Sequence, residues 1–339
     1  MYLRNLWYFA LPGAGLKSGA MTRKIMLNEP LLIARDADGA PFALRDICPH
    51  RGIPLSDGAF DGREVECCYH GWKFDRRGCC TEIPSLTSDQ HLNLDRIRTP
   101  SYPCREVQGN IWIFFGDGDE NENPPPELSG IDDRAPGLFE SMIFPSPIDH
   151  AVVGLMDPAH GPYVHRSWWW RSQRSMHEKS KKFGPSPLGF SMLRHAPSSN
   201  SAAYKLLGGE MTTEINFRLP GVRIEHIEAG KHVVCGLTAV TPLSETETEV
   251  NHAIYWTQPW LTPLKPVLRP FVRTFLGQDR DVVIKQQQGL RYDPQLMLIN
   301  DADLQAKWYY QLKRNWEKAQ TTGDAFENPV TQREMRWRS

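Results

Sequence analysis

Short apolar runs broken by turn residues dominate the first third of the chain. Residues 31–34 (Leu31, Leu32, Ile33, Ala34) read as a strand, Asp38-Gly39 as a hairpin turn and residues 42–44 as the returning strand. Residues 72–74, followed by Arg76-Arg77-Gly78, read as a further strand and turn, and the run from Asn110 to Phe115 as a closing strand. This pattern predicts an all-β domain over residues 1–116. Residues 117–130 carry Asp117, Asp119, Glu120, Glu122 and Pro124-Pro125-Pro126, too polar and proline-rich to build a core, and read as a linker. Further on, residues 213–218, 222–227, 233–240 and 250–256 alternate in strand fashion. Pro220-Gly221, Gly230-Lys231 and Ser244-Glu245 separate them, which predicts an antiparallel sheet with hairpin turns. After Pro259 the period becomes helical, over residues 264–276, 278–290 and 301–319; Leu304, Trp308 and Leu312 share one face of the last. Residues 176–200, rich in Lys, Ser and Pro, read as an irregular excursion. No internal repeat is visible, and the second domain, residues 131–339, is predicted to be α+β, a sheet surrounded by helices.

The length, 339 residues, suits two domains that each bury a core. A formal net charge of −1 gives no support to nucleic-acid binding or to an anionic membrane surface. Seven cysteines, an odd number not spread as a disulfide framework, point to a reducing, cytoplasmic setting. The first residues lack a basic start followed by a long apolar run, so no signal peptide is expected, and no apolar stretch is long enough for a transmembrane helix.

Candidate chemistry begins with Cys48-Pro49-His50-Arg51-Gly52 and, with sixteen residues between His50 and Cys67, Cys67-Cys68-Tyr69-His70-Gly71-Trp72. Each short loop offers one Cys and one His, so two loops can grip one centre from two sides. A zinc Cys2His2 site and a two-iron cluster both use such donors. The spacing favours the cluster, because zinc fingers group their cysteines and their histidines separately, whereas a Rieske [2Fe-2S] centre holds one iron by two Cys and the other by two His. Gly52 and Gly71 permit tight loops, and Pro54 stiffens one of them. The two motifs resemble those of the Rieske non-haem iron ring-hydroxylating oxygenases. Cys48, His50, Cys67 and His70 are the ligands that this resemblance implies. Cys68 stands where that family usually has Pro; Cys67 keeps the two-residue gap to His70, and Cys68 remains the competing assignment.

A second stretch, Asp157-Pro158-Ala159-His160-Gly161-Pro162-Tyr163-Val164-His165, places two His and a carboxylate within nine residues, a donor set suited to non-haem Fe(II). Positions i and i+5 stand about 140° apart on a straight helix, so His160 and His165 meet only if the helix is distorted, and Gly161-Pro162 supplies a distortion. Asp157, three before His160, is expected on the same helical face, with Pro158 in the first turn. The stretch resembles the family's Asp-x-x-His-x4-His segment. By that resemblance His160 and His165 hold the catalytic iron, and Asp157 bridges to a cluster histidine of a neighbouring subunit; Gly154 stands where the family often has a polar residue. The third ligand falls by resemblance on Asp279, in register with the Gln288-Gly289-Leu290 ending. Asp281 is the alternative, and because it points about 200° away on a helix only one of the two can face the iron.

The resemblance implies the α (terminal oxygenase) subunit of such an enzyme, of the α3 homotrimeric type. Electrons then come from NAD(P)H through a separate reductase, with or without a ferredoxin. They enter the [2Fe-2S] cluster and reach a mononuclear Fe(II) that uses O2 on an apolar, aromatic small-molecule substrate, by mono- or dioxygenation or by O- or N-demethylation. The cluster and the iron fall in different domains, so a ring of subunits is expected to bring one chain's cluster to its neighbour's iron. Arg51, Lys73, Arg76 and Arg77 form a solvated rim or a docking patch for an acidic electron donor. Trp168-Trp169-Trp170 cannot all be core, and some can line a pocket or an interface. Cys79-Cys80 and Cys104 read as packing residues. Two other classes remain to be separated: a Rieske ferredoxin, which would lack the iron-binding stretch and the more than 200 residues after the cluster motif, and a zinc-stabilised binding module, which would lack acid-labile sulfide.

Overall fold

In a computed structural model the protein is described at residues 2–165, 176–197 and 210–339, and Trp168, Trp169 and Trp170 lie outside the described residues. The chain divides into two compact units, one spanning residues 4–127 and the other residues 1–3 with 128–339.

The first unit is built of short antiparallel strands. Strands β1 (Leu6–Pro12), β10 (Cys104–Val107) and β11 (Asn110–Phe115) form one sheet in the order β1-β11-β10. Strands β2 (Ala20–Met26), β3 (Glu29–Arg35), β4 (Pro41–Arg45) and β9 (Ser101–Tyr102) form a second. The third consists of β5 (Ala59–Phe60), β6 (Val65–Glu66), β7 (Lys73–Phe74) and β8 (Cys80–Glu82); the second Cys-His loop joins β6 to β7, and the first lies between β4 and β5. Every residue of β11 is buried, as expected of a central strand. The acidic, proline-rich stretch after it is tied back to this unit: Trp7 Nε1 donates to the Glu120 carbonyl (3.0 Å) and Arg105 pairs with Glu120 (2.9 Å).

The second unit is one eight-stranded antiparallel sheet with helices against it. Its strands are β12 (Leu138–Phe144), β13 (Glu178–Ser186), β14 (Gly189–His195), β15 (Met211–Arg218), β16 (Val222–Ala229), β17 (His232–Pro242), β18 (Thr248–Trp256) and β19 (Arg333–Arg338), in the order β12-β18-β17-β16-β15-β14-β13-β19. Its helices are α1 (Ile148–Met156), α2 (Gly161–Val164), α3 (Lys265–Leu290) and α4 (Leu304–Thr322). Leu276 and Val283 of α3 pack on Phe144 and Val250, and Leu268 and Val272 on Val234 and Ile254. Register places Val234, Ile254 and Val250 on one face of the sheet, so α3 covers that face. Trp308 of α4 meets Phe183 and Phe190, and Tyr309 meets Phe217. Among the described residues no helix is long and apolar enough to cross a membrane.

Two expectations give way here. Residues 178–186 and 189–195 are strands, not an irregular excursion. Lys179, Ser180 and Lys181 are polar, yet they pair residue for residue with Trp337, Arg336 and Met335 of β19, so the partner strand fixes the conformation that their own side chains do not. The two helices expected at residues 264–276 and 278–290 are one helix, α3. Gly277 costs about 1 kcal/mol in a helix interior, which the anchors Leu276 and Val283 on either side outweigh.

Candidate cluster loops and metal centre

The two Cys-His loops repeat one backbone plan. Cys48 N–H donates to the Ile53 carbonyl (2.8 Å) and Gly52 N–H returns to the Cys48 carbonyl (2.9 Å); Cys67 N–H donates to the Trp72 carbonyl (2.9 Å) and Gly71 N–H returns to the Cys67 carbonyl (3.0 Å). Both glycines close their loops with positive φ, 76° and 68°, a conformation that an L side chain resists. Cys48 and Cys67 are each only 2% exposed and sit in one apolar cluster with Leu32, Phe42, Leu55 and Phe74. Cys68 is exposed and takes the place that Pro49 has in the first loop, so the loop plan sets Cys67 opposite Cys48. Asp46, almost fully buried, braces the first loop by accepting the backbone N–H (2.7 Å) and the hydroxyl (2.6 Å) of Ser56.

The two histidines come together, with ring centroids 4.5 Å apart, and His50 stacks flat on Trp72. His50 Nδ1 is buried with no hydrogen-bond partner. Such an orphaned nitrogen is costly unless a metal takes its lone pair. Burial, and then the adjoining Cys67, pushes the Cys48 thiol up to about 11. A bound metal reverses that preference, because a coordinated thiol loses its proton. Two buried sulfurs and two adjoining imidazoles, one with an orphaned nitrogen, fit a cluster held by two Cys and two His.

In the second unit α1 stops at Met156, and Asp157 leaves the helix with ψ 118°. Its Oδ1 accepts the Ala159 N–H at 2.7 Å, a turn that Asp side chains favour. His160 then caps the four-residue α2, whose first two residues are Gly161 and Pro162, and His165 ends it. The expected distortion is therefore a full break that precedes Gly161. Pro158 lies in the gap between helices and not in a first turn, and Asp157 adjoins His160 through that turn (Oδ2 to Nδ1, 3.7 Å) rather than through a shared helical face.

That short turn brings the Nε2 atoms of His160 and His165 to 3.2 Å. From α3, more than a hundred residues on, Asp279 Oδ1 reaches 3.3 Å from His165 Nε2 and 3.7 Å from His160 Nε2. The three form the one group of His, Cys, Asp and Glu donors with metal-holding spacing among the described residues. Right-angle neighbours on a metal with bonds of about 2.1 Å stand about 3 Å apart, so the spacing fits a single ion. Asp281, the alternative, is exposed on α3 and outside this group.

Two residues that the sequence reading passed over support the triad. Gln278 Oε1 lies 3.1 Å from His165 Nδ1, and Phe275 stacks on the His165 ring at 3.6 Å. A carbonyl oxygen at Nδ1 holds the proton there and leaves the Nε2 lone pair for a metal. The available signal was spacing: Phe275, Gln278 and Asp279 stand at i, i+3 and i+4, one face of a helix. Burial raises the Asp279 carboxyl to about 7, against the pull of Arg223. A desolvated carboxylate beside two imidazoles gains most from a cation.

Comparison with known proteins gives two domain matches. Residues 6–103 match the Rieske [2Fe-2S] domain, and residues 154–316 match the vanillate O-demethylase oxygenase C-terminal domain. The oxygenase component of dicamba O-demethylase from Stenotrophomonas maltophilia is 34% identical over 170 residues, 49% of this chain and 48% of that protein. Chlorophyllide a oxygenase of Arabidopsis thaliana is 32% identical over 169 residues, 49% of this chain and 30% of that protein. The iron-sulfur subunit of a toluene-4-sulfonate monooxygenase system from Comamonas testosteroni is 38% identical over 117 residues, 34% of this chain and 33% of that protein. The chain thus spans about a third to a half of the length of these curated relatives. In fold it is similar to the crystal structure of dicamba monooxygenase bound to dicamba, with a TM-score of 0.74 at 22% identity over 95% of this chain and 98% of that one. The chain thus carries a Rieske [2Fe-2S] domain followed by an oxygenase C-terminal domain of the vanillate O-demethylase type.

Proposed function

We propose that the chain is a terminal oxygenase that takes single electrons from a reductase, directly or through a ferredoxin, and oxygenates a small apolar substrate, of aromatic type. In this reading Cys48, His50, Cys67 and His70 hold the [2Fe-2S] cluster, and His160, His165 and Asp279 hold Fe(II). The cluster supplies electron storage, and the iron supplies a site where O2 is reduced beside the substrate. The observation that carries the reading is the meeting of His160, His165 and Asp279 within 3.7 Å, from two elements far apart in sequence.

The protein's own part is positional. Gln278 and Phe275 fix the His165 ring, so its lone pair is aimed before any metal arrives. Two histidines and one carboxylate leave further positions of an octahedral ion open. Asp157 is one-third exposed, with Oδ1 engaged by Ala159 and Oδ2 turned toward His160. In our reading it accepts the outer N–H of a cluster histidine from a second copy within a homotrimer, so that a charge-assisted hydrogen bond links the two centres. The docking patch falls more on Arg77 than on Arg76, whose guanidinium is engaged with Asp36 (3.3 Å).

A second reading, oxidative removal of an O- or N-methyl group, is favoured by the C-terminal domain match and by the demethylase among the relatives. Turnover with 18O2 on a panel of methoxyarenes, N-methyl heterocycles and unsubstituted arenes separates the two. Formaldehyde release supports demethylation, labelled ring hydroxyls support ring oxygenation, and electron uptake with neither product on any substrate overturns the oxygenase reading.

A further inference from the structure

The face of the sheet covered by α3 is not uniformly apolar. Arg223 of β16 pairs with Thr238 of β17, and Thr238 with His252 of β18, so the three side chains form one row on one face. Val250, two residues before His252 on the same strand, packs under Leu276 and Val283 of α3, which places the row on the helix-covered face. That is the face toward which α3 carries Asp279, and Arg223 acts on the Asp279 carboxyl through space. In the adjoining row Glu225 stands opposite Gly236. A Cβ on Gly236 would lie 3.5 Å from His252 Cε1, so the imidazole leans over the glycine toward Glu225.

These groups keep accessible surface although they lie within the layer. The side chains of Arg223 and Glu225 are 22% and 19% exposed, and those of His160 and Asp279 are 24% and 30% exposed. They therefore keep exposed surface on the same sheet face toward which α3 carries the metal centre. Arg223 Nη2 donates to Glu225 Oε2 at 3.1 Å, and Glu225 is its one hydrogen-bond partner among the described residues. Nη1 and Nε are left to donate elsewhere. His252 Nδ1 is 2.8 Å from Thr238 Oγ1, and its Nε2 has no partner among the described residues. With the threonine hydroxyl donating to Nδ1, Nε2 carries the proton and is left to donate to a ligand. Burial, then Arg223, holds His252 down to about 4, so the ring is neutral at physiological pH.

We propose that Arg223 and His252 form a polar subsite that receives an acceptor oxygen of the substrate, a carboxylate or a carbonyl, and turns its apolar part toward His160, His165 and Asp279. This rests on the oxygenase reading and specifies the substrate: an apolar skeleton with one oxygen acceptor. Glu225 and Thr238 are positioning residues, the first holding the guanidinium and the second the imidazole tautomer. A donor left unpaired in a desolvated site penalises a ligand that lacks the acceptor, which is how such a site discriminates.

The test is calorimetric binding to the protein as isolated, with two matched sets: benzoate, acetophenone and ethylbenzene, then 2-naphthoate, 2-acetylnaphthalene and 2-ethylnaphthalene. In at least one set the acceptor-bearing members should bind tenfold or more tightly than the hydrocarbon. Arg223→Gln should erase the advantage of the carboxylate over the ketone. His252→Asn, which keeps a partner for Thr238 but cannot reach as far as Nε2, should reduce both. Equal binding of hydrocarbon and acceptor-bearing ligands, no binding of any acceptor-bearing ligand, or an unchanged preference in both variants overturns the subsite. Iron content measured on the same samples keeps the questions apart: protein without iron contradicts the oxygenase reading, while the heats decide the subsite.

Discussion

Gln278 is a residue whose value lies wholly in the atom it touches. Its Oε1 at His165 Nδ1 selects the tautomer and the ring angle that a metal needs. Gln278→Leu keeps most of the volume and loses the acceptor. The variant should bind the third iron about 10- to 100-fold more weakly, read by competition with a chelator, while the cluster spectrum stays the same. Equal iron affinity would mean that packing against Phe275 alone orients the ring. His252 makes a different residue-scale prediction. Its folded pKa of about 4 lies below the ordinary 6.5, so the native state binds fewer protons than the unfolded state between those values. The stability this contributes is fully present above about pH 6.5, falls as pH drops and is lost near pH 4, on the order of 3 kcal/mol. Denaturant unfolding across that window should show a shallower decline for His252→Asn than for the unaltered chain. Parallel profiles would place the imidazole in a more solvated setting.

At the scale of elements the paired loops give a comparison within one molecule. Gly52 and Gly71 share a positive φ, so alanine at either costs roughly 1 kcal/mol in backbone strain. A Cβ at Gly52 meets nothing within 4 Å, whereas at Gly71 it comes to 3.1 Å from Pro84 Cγ. Gly71→Ala should therefore lose more of the cluster than Gly52→Ala, measured as visible absorbance per chain; equal loss would assign the whole effect to backbone conformation. These loops were legible in the sequence because Cys, His and Gly at fixed spacing leave few conformations that use them all. The strands from residue 211 to 256 were legible because apolar residues alternate between clear turn signals. Residues 178–186 were not, since their conformation comes from β19, more than a hundred residues away, and no local period records that pairing. The break before His160 was half legible: Gly161-Pro162 announced an irregularity, but Asp157 made it earlier by capturing the Ala159 N–H. Asp279 over Asp281 followed from likeness alone until α3 turned one of them toward the histidines.

At the scale of the whole molecule the account asks one chain to build two metal centres and an assembly to connect them. Asp157→Asn is nearly isosteric but removes the charge. Both centres should fill, while electron delivery to the iron in a single turnover slows steeply and sedimentation gives the same proposed trimer as the unaltered protein; normal turnover would remove Asp157 from the electron path. Reversal of Arg77 should slow reduction by the donor, and more so at low salt. Rates that do not change across an ionic-strength series would place the docking surface elsewhere. The central claim, two centres on one chain, is tested most directly by iron and acid-labile sulfide counted per chain in the unaltered protein and in Asp279→Ala. The account predicts about three irons and two sulfides in the first, and about two irons with sulfide and the cluster's electron paramagnetic resonance signal unchanged in the second. A colourless protein that holds zinc and no sulfide would contradict it, as would an iron count that Asp279→Ala leaves intact.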